Sequence, residues 1–81
     1  MNDDGRSKVW SAFTEAAPNL CYIGRTRELL LELVDKSGDL EDLVRRLEHA
    51  MAETESPSFR TDLKILKQRL DWWCRKGTRK G

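Results

Sequence analysis

Residues 40–53, LEDLVRRLEHAMAE, carry the sequence pattern that decides the fold. Apolar side chains recur in this stretch at spacings of three, one, three and four: Leu40, Leu43, Val44, Leu47 and Met51. Residues at such spacings lie on one face of an α-helix, because the helix repeats every ~3.6 residues. The stretch therefore predicts a helix from about Leu40 to Glu53 with one buried face.

Three further segments show the same helical pattern. The spacing of their apolar residues predicts helices over residues 7–17, 25–36 and 59–75, and no segment alternates as a β-strand does. Pro18 ends the first of these helices, because proline disfavours the helical conformation in the residue before it. Asp39 suits the cap of the helix over residues 40–53, and Pro57 suits the first turn of the last helix, with Ser56 or Ser58 as its cap.

The connectors between these helices are only a few residues long. This predicts an all-α fold, a compact and mostly antiparallel bundle of four to five helices. A chain of 81 residues fits one small domain. We expect that domain over residues 7–76, a disordered N-terminus over residues 1–6 and a flexible basic tail over residues 77–81. The predicted core consists of apolar side chains from all the helices: Trp10, Phe13, Leu30, Leu33, Leu40, Leu43, Leu47, Met51, Leu63, Leu66, Leu70 and Trp73.

Cysteine usage and hydropathy point to a cytoplasmic protein. The chain has two cysteines, Cys21 and Cys74, whereas secreted domains of this size usually carry about four to eight. We expect two buried, reduced thiols, with a Cys21–Cys74 bridge as the alternative. No apolar run reaches the roughly 18 residues that span a bilayer, and the first residues do not resemble a secretory signal.

Few residues in this chain are candidates for catalysis or metal binding. His49, the only histidine, precedes Glu53 by four residues, so the two side chains can meet on one helix face. The pair is either part of a metal or acid–base site or, as we expect, a solvated surface pair. The glycines are dispersed rather than grouped in a phosphate-binding loop. We expect no enzymatic activity, no metal and no cofactor.

Charge is distributed unevenly along a chain whose formal net charge is only +1. Residues 38–56 contain six acids and two bases, which gives −4, and residues 57–81 contain eight bases and two acids, which gives +6. Regions of opposite sign favour association with a second copy or with a similar domain. The predicted contact pairs an acidic face of the third helix with a basic face of the fourth helix on a neighbour. These protein-binding residues are Glu41, Asp42, Arg45 and Glu48 on the first face, and Arg60, Lys64, Lys67 and Arg69 on the second.

Other interpretations of the charged and aromatic residues remain open. The basic last helix suits a phosphate backbone, and Trp72 and Trp73 suit stacking on bases, so nucleic-acid binding is the alternative function. The near-neutral net charge of the whole chain argues against nucleic-acid binding. The charges also suit a purely solubilising role, and an apolar patch around Trp72 and Tyr22 is the other candidate contact surface.

Residues 27–34, RELLLELV, and residues 38–47, GDLEDLVRRL, resemble the pattern of bacterial effector-associated domains. In that family an arginine opens an apolar helix, and a glycine precedes a leucine-rich helix of the form G-x-L-x-x-L-V-x-x-L. The upstream Trp10, Phe13, Pro18 and Leu20 fit its first helix and the turn after it, whereas the long last helix departs from the pattern. The resemblance implies a death-fold-like adaptor. Such modules couple sensor proteins to proteases, nucleases or nucleotide-hydrolysing switches in bacterial defence and signalling by like-with-like association.

Overall fold

The structure, a computed structural model, describes the backbone of residues 2–78 and the side chains of residues 2–75. Within these residues the secondary structure is helical throughout, with no β-strand, and the predicted all-α bundle is confirmed. The described part of the chain contains four α-helices, the lower end of the predicted four to five. They are α1 (Asp3–Ala16), α2 (Ile23–Lys36), α3 (Leu40–Glu53) and α4 (Pro57–Thr78), with a 3-10 turn, Ala17–Asn19, between α1 and α2.

The start of α1 corrects the sequence prediction. Residues 3–6 were expected to be disordered, and they form the first turn of the helix instead. Asn2 caps this turn, since its side-chain oxygen accepts a hydrogen bond of 2.8 Å from the Gly5 amide. The acids of the first turn are also favoured by the positive end of the helix dipole. The polar N-terminal residues therefore act as a helix-start signal. Met1 lies outside the described residues.

The starts of α3 and α4 follow the predicted caps. The Asp39 side chain accepts a hydrogen bond of 2.8 Å from the Asp42 amide at the start of α3. The Ser56 hydroxyl accepts one of 3.3 Å from the Phe59 amide at the start of α4, where Pro57 is the first helical residue. These caps use residues next to the helices they cap, which is why the sequence reveals them.

The connector between α1 and α2 is less regular. Pro18 lies in the 3-10 turn directly after Ala16, close to the predicted end of α1. Helix α2 then begins at Ile23 rather than at the predicted Arg25, and its N-cap residue, Tyr22, makes no side-chain capping hydrogen bond. The start of α2 therefore depends on a group from another part of the molecule.

Helix α4 sets the length of the molecule. Its 22 residues span roughly 33 Å at ~1.5 Å per residue, close to the longest dimension of 38 Å. Residues 77 and 78 of the predicted tail belong to its last turn, whereas residues 79–81 lie outside the described residues. Among the described residues, no helix combines the length and the apolar character needed to cross a membrane.

The packing around α4 is uneven. Helix α4 packs most extensively against α1 and α3, and α2 packs less extensively on the rest of the bundle. Helices α3 and α4 are antiparallel, because Arg60 near the start of α4 contacts the carbonyl of Met51 near the end of α3. Further along, Lys67 reaches Glu48 one turn earlier in α3.

Leucines fill the centre of the bundle. Among the predicted core residues, those that are buried are Phe13, Leu30, Leu43, Leu47, Leu63, Leu66 and Leu70. The others pack against this cluster from its margin and are half-buried: Trp10, Leu33, Leu40, Met51 and Trp73. The buried cluster also contains apolar residues beyond the predicted set, namely Val9, Ala12, Ala16, Leu20, Val34 and Phe59. Three buried polar residues complete it: Thr26, Ser37 and Asp62.

Candidate functional site

Three of the four residues predicted for the acidic face are exposed along one side of α3. Glu41, Arg45 and Glu48 follow one another at spacings of four and three, which places them in one row. Because α3 is an amphipathic helix whose Leu43 and Leu47 face the core, this row lies away from the core. The row carries two acids and one base, so its net charge is modest.

Asp42, the fourth predicted residue, is partly exposed and is held by contacts within its own molecule. Its carboxylate accepts a hydrogen bond of 3.1 Å from the Gly38 amide and forms ion pairs with Arg46 at 3.3 Å and Arg45 at 3.8 Å. The Gly38 hydrogen bond, followed by the two arginines, lowers the pKa of the Asp42 carboxyl. Asp42 therefore holds the α2–α3 connector against the first turn of α3.

Two of the four residues predicted for the basic face of α4, Arg60 and Lys67, contact α3 or its end. Arg60 donates hydrogen bonds to the carbonyls of Met51 at 3.3 Å and Thr54 at 2.6 Å. These carbonyls end α3, where a cation is favoured by the helix dipole. Lys64, one turn further along α4, is exposed. Arg60 thus caps the C-terminal end of α3 within the same molecule.

Lys67 links the two predicted faces within one chain. Its ammonium group lies 3.3 Å from the Glu48 carboxylate on α3 and 3.0 Å from the Asp71 carboxylate on α4. The hydrogen bond to Asp71, and then that to Glu48, raises the pKa of Lys67. The acidic and basic faces are therefore neighbours that partly neutralise each other, which reduces what either can offer to a second molecule.

Arg69 lies apart from the other predicted basic residues. It lines an open cleft of about 550 Å³ between α4 and the 3-10 turn. The cleft is lined by two apolar side chains, Ile65 and Trp72, and by two bases, Arg69 and Arg75. Its remaining lining residues are Asn19 and Gln68, so none of the six lining residues carries a carboxylate. We call this surface the arginine cleft.

The aromatic residues of the alternative contact patch lie at two separate places. Trp72 is 45% exposed and contacts Trp73 edge to face at 5.1 Å. Trp73 packs against the core, and its indole nitrogen donates a hydrogen bond of 3.4 Å to Glu15. Tyr22 is also exposed, but it lies against Phe59 near the start of α4. Only Trp72 therefore belongs to the arginine cleft.

Sequence reasoning missed an acidic face on the outer side of α2. Glu28, Leu31, Glu32 and Asp35 follow one another at spacings of three, one and three, opposite the buried residues of α2, and all four are exposed. Leu31 at its centre is 45% exposed. The signal for this face was in the sequence, since the same spacing rule that predicts the buried side of a helix also groups these residues. We call it the α2 acidic face.

Sequence reasoning also missed the role of Asp62, which is fully buried on α4. One carboxylate oxygen accepts from the Cys21 amide at 2.9 Å. The other accepts from the Cys21 amide at 3.1 Å and from the Tyr22 amide at 2.6 Å. A side chain from α4 thus supplies the cap that α2 lacks. An acid inside the apolar stripe between Phe59 and Leu66 was the available signal.

The remaining candidate groups lie on the surface. His49 and Glu53 approach within 3.1 Å, and both side chains are mostly exposed, as expected for a solvated pair. Among the described residues, no group of three or more His, Cys, Asp or Glu side chains is placed to hold a metal ion. Cys21 is exposed and Cys74 half-buried, and both are free thiols, so the expectation of two buried thiols is wrong for Cys21.

Comparison with known proteins identifies the family of this chain. Residues 6–73 match the MJ1579 family, a region that covers the bundle from the first turn of α1 to Trp73. No curated protein and no solved structure matches the chain. The resemblance to effector-associated domains therefore stays a prediction. The match extends over most of the chain and includes Asp62, the α2 acidic face and most of the arginine cleft, so the chain belongs to the MJ1579 family.

Proposed function

We propose that the chain is a non-catalytic protein–protein interaction module that associates with copies of itself. The observation that carries this proposal is the exposure of large apolar side chains: among the four that are exposed in the described part of the chain, Leu31 on α2 and Trp72 on α4 lie beside charged residues. Acids border Leu31, and arginines border Trp72. Exposed apolar side chains surrounded by a charged rim are typical of protein interfaces, in which tryptophan and arginine are enriched.

The resemblance of residues 27–47 to effector-associated domains supports an adaptor role in bacterial signalling or defence. We place the module in the cytoplasm, where free thiols such as Cys21 and Cys74 stay reduced. A partner that carries a similar helical domain would be recognised through the same surfaces. Of the predicted contact residues, four are exposed and have no part in joining α3 to α4: Glu41, Arg45, Lys64 and Arg69.

Sedimentation velocity of the purified chain, from micromolar to millimolar concentration, tests the proposal. We expect the sedimentation coefficient to rise with protein concentration and to fall when salt is added, because exposed charge pairs are screened by salt. Fusing the chain to a dimeric carrier should strengthen the association through multivalency. A chain that stays monomeric at every concentration and in the dimeric fusion would refute self-association.

Nucleic-acid binding is the second candidate function, because Trp72 is exposed between Arg69 and Arg75. An aromatic ring flanked by arginines suits an unpaired base and its phosphates. Fluorescence anisotropy with short single-stranded and duplex oligonucleotides tests this candidate over a series of salt concentrations. Binding that weakens steeply with salt and is lost in Trp72→Ala supports it. Equal anisotropy with and without the protein excludes it.

A further inference from the structure

We propose that the chain associates head to tail: the α2 acidic face of one copy docks into the arginine cleft of the next. This inference rests on the proposed self-association and names the two surfaces that carry it. It replaces the contact between α3 and α4 faces with a pair of surfaces that lie on different sides of the bundle. The occupant of the arginine cleft is thus a second copy of this chain.

The first argument is the pairing already present within one molecule. Lys67 contacts Glu48 at 3.3 Å, and Arg60 donates to the carbonyl of Thr54 at 2.6 Å. A neighbouring molecule that used these two bases would have to compete with contacts inside the chain. Arg69 lies on the opposite side of α4 from Lys67, and none of the residues lining its cleft is an acid.

The second argument is the matching composition of the two surfaces. The α2 acidic face has Leu31 at its centre, with Glu28, Glu32 and Asp35 around it. Two bases flank it: Arg27 is exposed one turn before Leu31, and Lys36 lies 3.6 Å from Glu32 in an ion pair whose two side chains are more than half exposed. The face therefore presents three acids beside one exposed apolar side chain, with two bases at its edges.

The arginine cleft has the complementary arrangement. Arg69 and Arg75 line it as bases, and its apolar surface comes from Ile65 and Trp72. Docking would bury Leu31 against these two side chains and place the carboxylates of the α2 acidic face beside the arginines. Buried tryptophan and arginine side chains with a charged rim are the residues that dominate binding at protein interfaces.

A second copy explains more of the molecule than a nucleic acid does. A nucleic acid in the arginine cleft would leave an exposed leucine among three acids on α2 without a partner. Because the two surfaces differ, one contact leaves an unused acidic face on one copy and an unused cleft on the other. Association of this heterologous kind continues into a ring or an open chain rather than ending at a symmetric dimer.

The test uses two variants that each disable one surface: Leu31→Glu on α2 and Trp72→Glu on α4. Both positions are exposed, so both variants should keep the helical circular dichroism of the wild-type chain. Sedimentation velocity should show roughly tenfold or greater weakening of self-association in each variant. Ala52→Glu is the matched control, because it places the same new charge at an exposed position on α3 and should leave association unchanged.

Mixing the two disabled variants gives the sharpest readout. Leu31→Glu keeps an intact cleft and Trp72→Glu keeps an intact acidic face, so the mixture should form a 1:1 complex that does not grow with concentration. Exchanging the charges within one chain, with Arg69→Glu, Arg75→Glu, Glu28→Lys and Asp35→Lys together, leaves no native pair of surfaces and should restore self-association through the reversed surfaces.

The outcomes separate this inference from the proposed function. If the wild-type chain associates and both disabled variants associate equally well, the head-to-tail contact is wrong while self-association stands. Loss of association in Lys64→Glu would then assign the contact to the predicted pairing of the acidic face of α3 with the basic face of α4. A mixture of the two disabled variants that stays monomeric also overturns the head-to-tail contact. A wild-type chain that is monomeric at every concentration overturns both proposals.

Discussion

Asp62 offers the most direct test of how the bundle is held together. Its buried carboxylate accepts hydrogen bonds from two backbone amides, those of Cys21 and Tyr22, at distances between 2.6 and 3.1 Å. A hydrogen bond to a charged group contributes about 1.5–3 kcal/mol. In Asp62→Ala two backbone amides lose their acceptor. Because the connector is only partly buried, water can accept some of these hydrogen bonds instead. We therefore expect Asp62→Ala to lower the free energy of unfolding by roughly 2–5 kcal/mol.

The isosteric variant keeps the test informative if Asp62→Ala fails to fold. Asp62→Asn retains the volume of the side chain, but only its carbonyl oxygen can accept, and its amide group faces a second N–H donor. We expect a loss of about 1–3 kcal/mol, which lowers the melting temperature by roughly 4–8 °C for each kcal/mol in a domain of this size. Urea denaturation followed by circular dichroism measures the change in the free energy of unfolding.

Asp35→Asn is the matched control for Asp62→Asn. Asp35 is exposed on α2, and the same chemical change there should alter stability by less than about 0.5 kcal/mol. Hydrogen exchange adds a local readout, because the amides of Cys21 and Tyr22 should lose protection in Asp62→Asn before the rest of the bundle does. The capping role of Asp62 is refuted if the two variants are equally stable, or if these two amides exchange as slowly as in the wild-type chain.

Three further predictions concern the core, the acid side of the pH profile and the thiols. Leu66→Ala should cost about 2–5 kcal/mol in urea denaturation, because a fully buried leucine leaves a cavity; Leu31→Ala, at an exposed position, should cost far less. The pKa of Asp42 is lower in the folded state than its unfolded value of about 3.9. The ionised carboxylate therefore stabilises the fold fully above the unfolded pKa, and this stabilisation is lost as pH falls through the folded pKa. Asp42→Asn should therefore lose less stability than the wild-type chain between neutral and acid pH, and equal losses would contradict this. Burial raises the pKa of the Cys74 thiol, so iodoacetamide should modify the exposed Cys21 first, as mass spectrometry can show; faster modification of Cys74 would be the contrary result.

Helix positions could be predicted from the sequence where the signals are local. The bounds of α3 match the prediction, because Asp39 caps the helix and the apolar spacing of residues 40–53 is regular. The start of α1 was missed for an equally local reason. The Asn2 side chain accepts a hydrogen bond from the Gly5 amide, so a helix cap lies within the polar segment that was predicted to be disordered.

The predicted contact surface was only partly accessible to sequence reasoning. Residue types give the sign of the charge on each helix, but the pairing of Lys67 with Glu48 depends on how α3 and α4 pack. Arg69 is different, since its spacing of two from Lys67 already places these two bases on opposite sides of a helix. The α2 acidic face was likewise present in the spacing of residues 28–35.

Asp62 marks the limit of what one sequence can reveal. Its position between Phe59 and Leu66, within an apolar stripe, indicates that the acid is buried. Its partners cannot be found in this way, because the amide of Cys21 lies 41 positions away along the chain. Backbone amides also carry no sequence signature. The cap of α2 by α4 is therefore a property of the tertiary structure.

The position of Asp62 connects stability to the surfaces proposed for association. An apolar side chain at residue 62 would fit the stripe of α4, yet it would leave two backbone amides without an acceptor. Helix α2 packs less extensively than its neighbours, so the apolar contacts at its margin restrain its direction only weakly. The carboxylate instead holds the residues that follow Asn19, and Asn19 forms the far side of the arginine cleft. One buried group thus binds the connector at Cys21 and Tyr22, directly before the start of α2. The Asp62 carboxylate is therefore a polar link between α4, which lines the arginine cleft, and the connector that leads into α2, which carries the acidic face.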